Sequence, residues 1–166
     1  MIAGRLIAIA TGEAAEVENT TTEGRLYGRI FAAYALQAGK LYTMRVPVIV
    51  NDNNSTDTLT LKVRFGSSST PGSNTACGAS AAIDVVDADA AVVECHLEVH
   101  SATRAIVYGM ISATDAANVE KVSSFGPTVI TLDNTVANYW DVTATWSVAH
   151  ADNEVAAAGG HVIEYA

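Results

Sequence analysis

The sequence predicts an all-β fold, an antiparallel sandwich or barrel of about eight to ten strands. Three observations predict it. Apolar and polar residues alternate with period two along at least four stretches. Turn-forming clusters separate these stretches, roughly every 8–15 residues. Strands do not alternate with long amphipathic helices, as an α/β fold would require, and no repeat of fixed period indicates a solenoid or propeller.

The stretches follow in chain order. Arg25 to Leu36 reads as a strand through Tyr27, Ile30, Phe31 and Tyr34, with a helix left open by its Ala-rich end. Tyr42, Met44, Val46, Val48 and Val50 line one face of the next strand. Pro47 lies opposite and removes a ladder donor, which predicts an edge strand or a bulge. After the turn cluster Asn51–Ser55, Leu59, Leu61, Val63 and Phe65 alternate with Thr58, Thr60, Lys62 and Arg64. A Ser-rich loop spans Gly66 to Asn74. Val93, Cys95, Leu97 and Val99 then alternate with Glu94, His96, Glu98 and His100, and Ser101-Ala102-Thr103 closes a hairpin. Residues Arg104 to Ser112 are apolar on both faces. That pattern fits a central strand, or one whose outer face meets another subunit.

Gly126-Pro127 begins a short strand over Thr128–Leu132. Trp140, Val142, Ala144, Trp146 and Val148 share a face predicted to be core, and His161–Tyr165 is a last short strand. Residues 149–154 and 156–160 read as breaks. One helical turn each is expected near 88–90 and 113–119. Residues 1–24 stand apart as an N-terminal arm or extra strand, ahead of a domain over 25–166. Their apolar side chains Ile2, Leu6, Ile7 and Ile9 require burial, either in the chain's own sheet or on a partner, and are the candidate partner-binding residues.

Composition narrows the function. The 166-residue chain is 49% hydrophobic and only 16% charged, with a net charge of −9. It lacks the basic stripe that nucleic acid demands. No apolar run reaches the ~20 residues that span a bilayer, and the N-terminal apolar stretch is too short for a signal peptide, so synthesis in a cytoplasm is expected. Cys77 and Cys95 are the only cysteines. Cys95 is expected as a buried free thiol, and pairing between the two is undecided by spacing.

No catalytic residues, metal site or cofactor are predicted. Nucleophile elbow, phosphate loop and dinucleotide fingerprint are all missing. Glu94, His96, Glu98 and His100 share a strand face, but the two imidazoles lie about 13 Å apart along it, too far to bind one ion. Asp52, Asn53, Asn54 and Asp57 read as an Asx-rich turn rather than a Ca²⁺ loop. His150 and His161 are isolated.

The run Thr58-Leu59-Thr60-Leu61-Lys62-Val63-Arg64-Phe65-Gly66-Ser67 resembles a strand and loop of small structural proteins of tailed bacteriophages. So does Tyr139-Trp140-Asp141-Val142-Thr143-Ala144-Thr145-Trp146-Ser147, followed by 149–155 and Val162-Ile163-Glu164. The resemblance covers about Gly39 to Ala166. It implies an antiparallel jelly-roll β-sandwich, commonly trimeric, displayed on the virion. The function implied is capsid decoration, with the major capsid protein and further copies of the chain as partners. A fibre- or tail-associated sandwich that binds a receptor or carbohydrate is the alternative, and it would want exposed aromatics near loops 51–57 and 66–74. The first ~38 residues fall outside the resemblance, which makes Ile2 to Ile9 the candidate anchor to the particle.

Overall fold

The computed structural model describes residues 4–10, 16–54 and 56–165. Among them are thirteen strands: β1 (Gly4–Ala10), β2 (Glu16–Glu18), β3 (Gly24–Phe31), β4 (Leu41–Asp52), β5 (Thr58–Gly66), β6 (Thr75–Ala79), β7 (Ile83–Asp84), β8 (Ala90–Ser101), β9 (Arg104–Thr114), β10 (Glu120–Thr131), β11 (Asn138–Trp146), β12 (Glu154–Ala157) and β13 (Gly160–Tyr165). The larger sheet runs β1-β13-β4-β8-β9-β10, with β12 also on β4 and β2 on β12. The smaller runs β3-β11-β5-β6, with β7 beside β5. Every pairing is antiparallel. The architecture is a jelly-roll β-sandwich.

The alternation decides which side chains fill the gap between the sheets. Tyr42, Met44, Val46, Val93, Cys95, Leu97, Val107 and Ile111 enter from the large sheet. Leu59, Leu61, Val63, Phe65, Trp140, Val142, Ala144 and Trp146 enter from the small one, and all are buried. Trp146 Nε1 donates to the Val17 carbonyl at 3.0 Å and so ties β2 to the core. Trp140 Nε1 is buried without a partner. Cys77 and Cys95 are free thiols. Burial pushes Cys77 up to about 12 and Cys95 well above its ordinary value, so neither is a reactive thiolate.

Several expectations need correction. Pro47 sits on an interior strand, because β4 pairs with β8 on one side and with β12 and β13 on the other. On that second side β13 stops at Arg45 and β12 starts at Val48. The missing N–H therefore faces the gap between two partner strands, while the Pro47 carbonyl still accepts from Ala158 N. Gly126-Pro127 does not begin a strand. It forms a cis bulge inside β10, which starts at Glu120. There the Phe125 ring lies against Gly78 of the opposite sheet, where a Cβ would overlap it.

Residues 88–90 and 113–119 hold turns rather than helix, and the one helical element among the described residues is a short 3₁₀ turn at Pro71–Ser73. The strand expected over 25–36 ends at Phe31, and its Ala-rich end is a turn, neither strand nor helix, with Tyr34 exposed at a positive φ of 63°. The second break narrows to 158–159. Val148 lies beyond the end of β11 and is exposed, not core.

The outside of the small sheet is sealed by ions. Strand β11 is buried on both faces: Asp141 and Thr143, which point away from the core, are 1% and 0% exposed. Arg25 reaches Asp141 through Nε and Nη2 at 2.8 and 3.0 Å, and also donates to the Ser69 carbonyl. Glu23 accepts from Arg64 twice at 2.6 Å, from Lys62 Nζ at 3.0 Å and from Thr143 Oγ1 at 2.6 Å. Burial pushes the Glu23 carboxyl up, but the Arg64, Thr143 and Lys62 hydrogen bonds outweigh it and lower it from 4.5 to about 2.

Three stability predictions follow from this packing. Trp146→Ala should cost about 3–5 kcal/mol in urea unfolding, because the cavity lies mid-core. Trp146→Phe should cost about 1–3 kcal/mol more than Trp140→Phe, because only the former strands a buried acceptor, the Val17 carbonyl. Glu23→Gln should destabilise by about 1–3 kcal/mol at neutral pH. Glu23 binds its proton more weakly folded than unfolded, so its contribution is complete above about pH 4.5 and fades towards pH 2. Urea titrations of both proteins across that window should therefore converge. A deficit that persisted unchanged to pH 2 would contradict the assignment.

Candidate functional site on the outer face of the large sheet

The register of β8, β9 and β10 determines what points away from the core. Cys95 pairs with Gly109 and Leu97 with Val107 on the inner side. The intervening residues point outward: Glu94 opposite Met110, His96 opposite Tyr108, Glu98 opposite Ile106 and Val92 opposite Ser112. On β10, Val129 faces Ile106 and Val122 faces Ser112.

The centre of this outer face is apolar. Val129, Val122 and Met110 are 57%, 53% and 41% exposed, and Ile106 and Tyr108 are half-buried beside them. Strand β9 lies between β8 and β10 and has apolar side chains on both faces. It is the central strand of the sequence reading, flanked on both sides. The edge position of β10 is why Val122 and Val129 stay uncovered: the small sheet reaches only its inner side, through Gly78 and the Thr128 Oγ1 bond to the Cys77 carbonyl at 3.0 Å.

Polar groups frame the apolar centre. The His96 and Tyr108 rings stack with centroids 5.0 Å apart and planes at 29°. Thr43 Oγ1 holds His96 Nδ1 at 3.0 Å. Side chains meet within the chain: Arg45 lies 3.9 Å from Glu94, and His100 Nε2 lies 3.3 Å from a Glu98 carboxylate oxygen. Around the β10 bulge the face dips into a groove of about 500 Å³ lined by Glu94, His96, Tyr108, Met110, Phe125 and Pro127.

The other residues singled out from sequence are placed as follows. Leu6 is exposed on β1, the edge strand of the large sheet, and Ile7 beside it packs partly against the core. Strand β1 is thus a strand of its own sheet that keeps an outward apolar side chain. Ile2 and the Ile9 side chain lie outside the described residues. Glu94, His96, Glu98 and His100 share the outer face as expected. Among the described residues, no three His, Cys, Asp or Glu converge as a metal site would need.

The Asx-rich turn is a loop clasp. Asp52 and Asp87 accept from Asn53 N, Asn153 Oδ1 accepts from Asn54 N, and Asn153 Nδ2 donates to Asp57 at 2.8 Å. His150 contacts Asp152 at 3.6 Å, and His161 is half-buried on β13. Sequence reasoning missed Val122, because the Glu120–Phe125 half of β10 alternates in the opposite sense, with Val122 outward and Phe125 inward.

No family model matches the sequence, and no curated protein does. Among solved structures, the fold is similar to an engineered GH43 glycoside hydrolase with endo-xylanase and exo-arabinofuranosidase activity, at TM-score 0.44 and 12% identity over 87% of this chain and 36% of that one. It is similar to the lectin UEA-II complexed with galactose, at TM-score 0.43 and 11% identity over 98% and 92% of the two chains. It is also similar to VP2 of the infectious bursal disease virus subviral particle, at TM-score 0.37 and 8% identity over 99% and 32%. The chain spans about a third of the length of the hydrolase and of VP2.

Proposed function

We propose that the protein is a structural subunit of a virion, a decoration (cement) protein that binds the outside of a tailed-phage head. The observation that carries the reading is the apolar outer face over β9 and β10. The outside of a solitary antiparallel sheet facing water is ordinarily polar, and exposed apolar patches of this kind mark protein contacts. The role is adhesion without catalysis: neighbouring subunits are clamped by added interface area. The N-terminal strand is the proposed attachment to the major capsid protein, with Leu6 outward on a sheet edge that has no neighbour beyond β1 among the described residues. A free edge of this kind can accept a strand from another protein.

One feature favours the carbohydrate-binding alternative. The His96–Tyr108 stack forms an aromatic ledge beside the Glu94 carboxylate in the groove. No aromatic residue stands in loops 51–57 or 66–74, where that reading expected one.

Co-sedimentation of the purified protein with heads of the parent particle should show saturable binding. Leu6→Asp, on an already exposed side chain, should weaken that binding while leaving the circular dichroism spectrum unchanged. Protein that stays in the supernatant at every ratio tested, yet labels discrete spots on a glycan array, would replace the capsid reading with the carbohydrate one.

A further inference from the structure

We infer that a second copy of this chain covers the outer face of β8, β9 and β10. The inference rests on reading the protein as an assembly subunit and names the partner of that face. Three properties of the face point to a copy of itself.

The first is size. Strands of about a dozen residues run about 38 Å, and four of them, β4 included, span about 19 Å, giving a flat area of about 700 Å² per copy. Two such faces together bury about 1,400 Å², within the ~1,200–2,000 Å² of a stable specific interface.

The second is charge. The chain carries −9 overall, so two copies repel wherever their acidic surfaces meet. On this face the strands expose three carboxylates, Glu94, Glu98 and Glu120, against two guanidiniums, Arg45 and Arg104. Most of the negative charge therefore lies elsewhere, and the face is almost free of the repulsion that opposes self-association. It also lacks the strong field of either sign that a highly charged partner would recognise.

The third is pattern. Along β8 the outward row reads Glu94, His96, Glu98, His100. Laid antiparallel on a copy about the Cys95–Gly109 pair, where the two faces overlap over most of their length, this row sets Glu94 of each copy against His96 of the other, a carboxylate acceptor against an imidazole donor. The same operation sets Met110 of each copy against Tyr108 of the other, and Val122 against Val129, at the roughly 10 Å spacing of packed sheets.

The test uses the full chain. Sedimentation equilibrium and light scattering at tens of micromolar should give a multiple of the 17.3 kDa chain mass. Val122→Glu with Val129→Glu changes two side chains that are more than half exposed, so folding is not at risk. It should weaken association at least about tenfold with unchanged melting of the monomer. As an independent readout, the buried native thiols leave an introduced cysteine as the reactive one. A maleimide should therefore label Val129→Cys more slowly than Val148→Cys, and equally fast once Val122→Glu and the dilution needed for monomers are imposed.

A monomer at all concentrations would overturn the inference. So would a multimer indifferent to the glutamate pair, or labelling of Val129→Cys as fast as that of Val148→Cys. Capsid co-sedimentation is a separate measurement. A monomer that still binds heads would sink the self-pairing and spare the proposed function; a multimer that ignores heads would do the reverse.

Discussion

The fold depends on how β11 is buried from both sides. Trp140 and Trp146 project inward from one strand, six residues apart, and fill the space opposite β4 and β8. Their bulk sets the separation of the sheets, and smaller side chains such as Ala144 fit between them. Asp141 and Thr143, which alternate with these inward residues, point the other way and are equally inaccessible. Asp141 is held by Arg25, and Thr143 by Glu23. A strand buried on both faces has no solvent to satisfy its outer polar groups, so each needs a partner from elsewhere in the chain. Glu23 and Arg25 supply those partners and thereby dock the start of β3 across the small sheet.

The two outer faces solve the same problem in opposite ways. Outside the small sheet, charged side chains fold down over polar ones, Arg25 over Asp141 and Glu23 over Thr143, while Thr145 Oγ1 is buried without a partner among the described residues. Ile30 on β3 is a large apolar side chain that this surface leaves exposed. Outside the large sheet, the charges sit on β8, on β4 and at the ends of β9 and β10 (Arg104 and Glu120), while the middle of β9 and β10 exposes Met110, Val122 and Val129 beside the half-buried Ile106. Their solvation cost is relieved only by contact with another apolar surface. An asymmetry of this kind suits a subunit of an assembly, since one side is closed mainly by its own ion pairs and the other is left for a neighbour.

Much of the strand content was legible in the sequence. The inward residues of β4, β5, β8 and β11 are those that the two-residue rhythm selects, and the hairpin between β8 and β9 lies at the Ser101–Thr103 turn. The outward apolar row of β9 was legible too, as a stretch apolar on both sides. Its continuation on β10 was not. Gly126-Pro127 reads locally as punctuation, and the bulge there shifts the alternation between Phe125 and Thr128. The Glu23 network was also hidden, inside a segment that reads only as acidic and Thr-rich.

Taken alone, the sequence determined that the chain forms sheets and which side of most strands turns inward. Successive side chains on a strand point to opposite faces, and that is a property of the local backbone. Tertiary structure alone decided which strands lie at edges, why Pro47 is tolerated in the interior, and which residues complete the Glu23 and Asp141 ion pairs. It also decided that Val129 lies uncovered beside Ile106, and Val122 beside Ser112. Each of these depends on neighbours distant along the chain, Glu23 and Thr143 being 120 residues apart, and no local pattern encodes who those neighbours are.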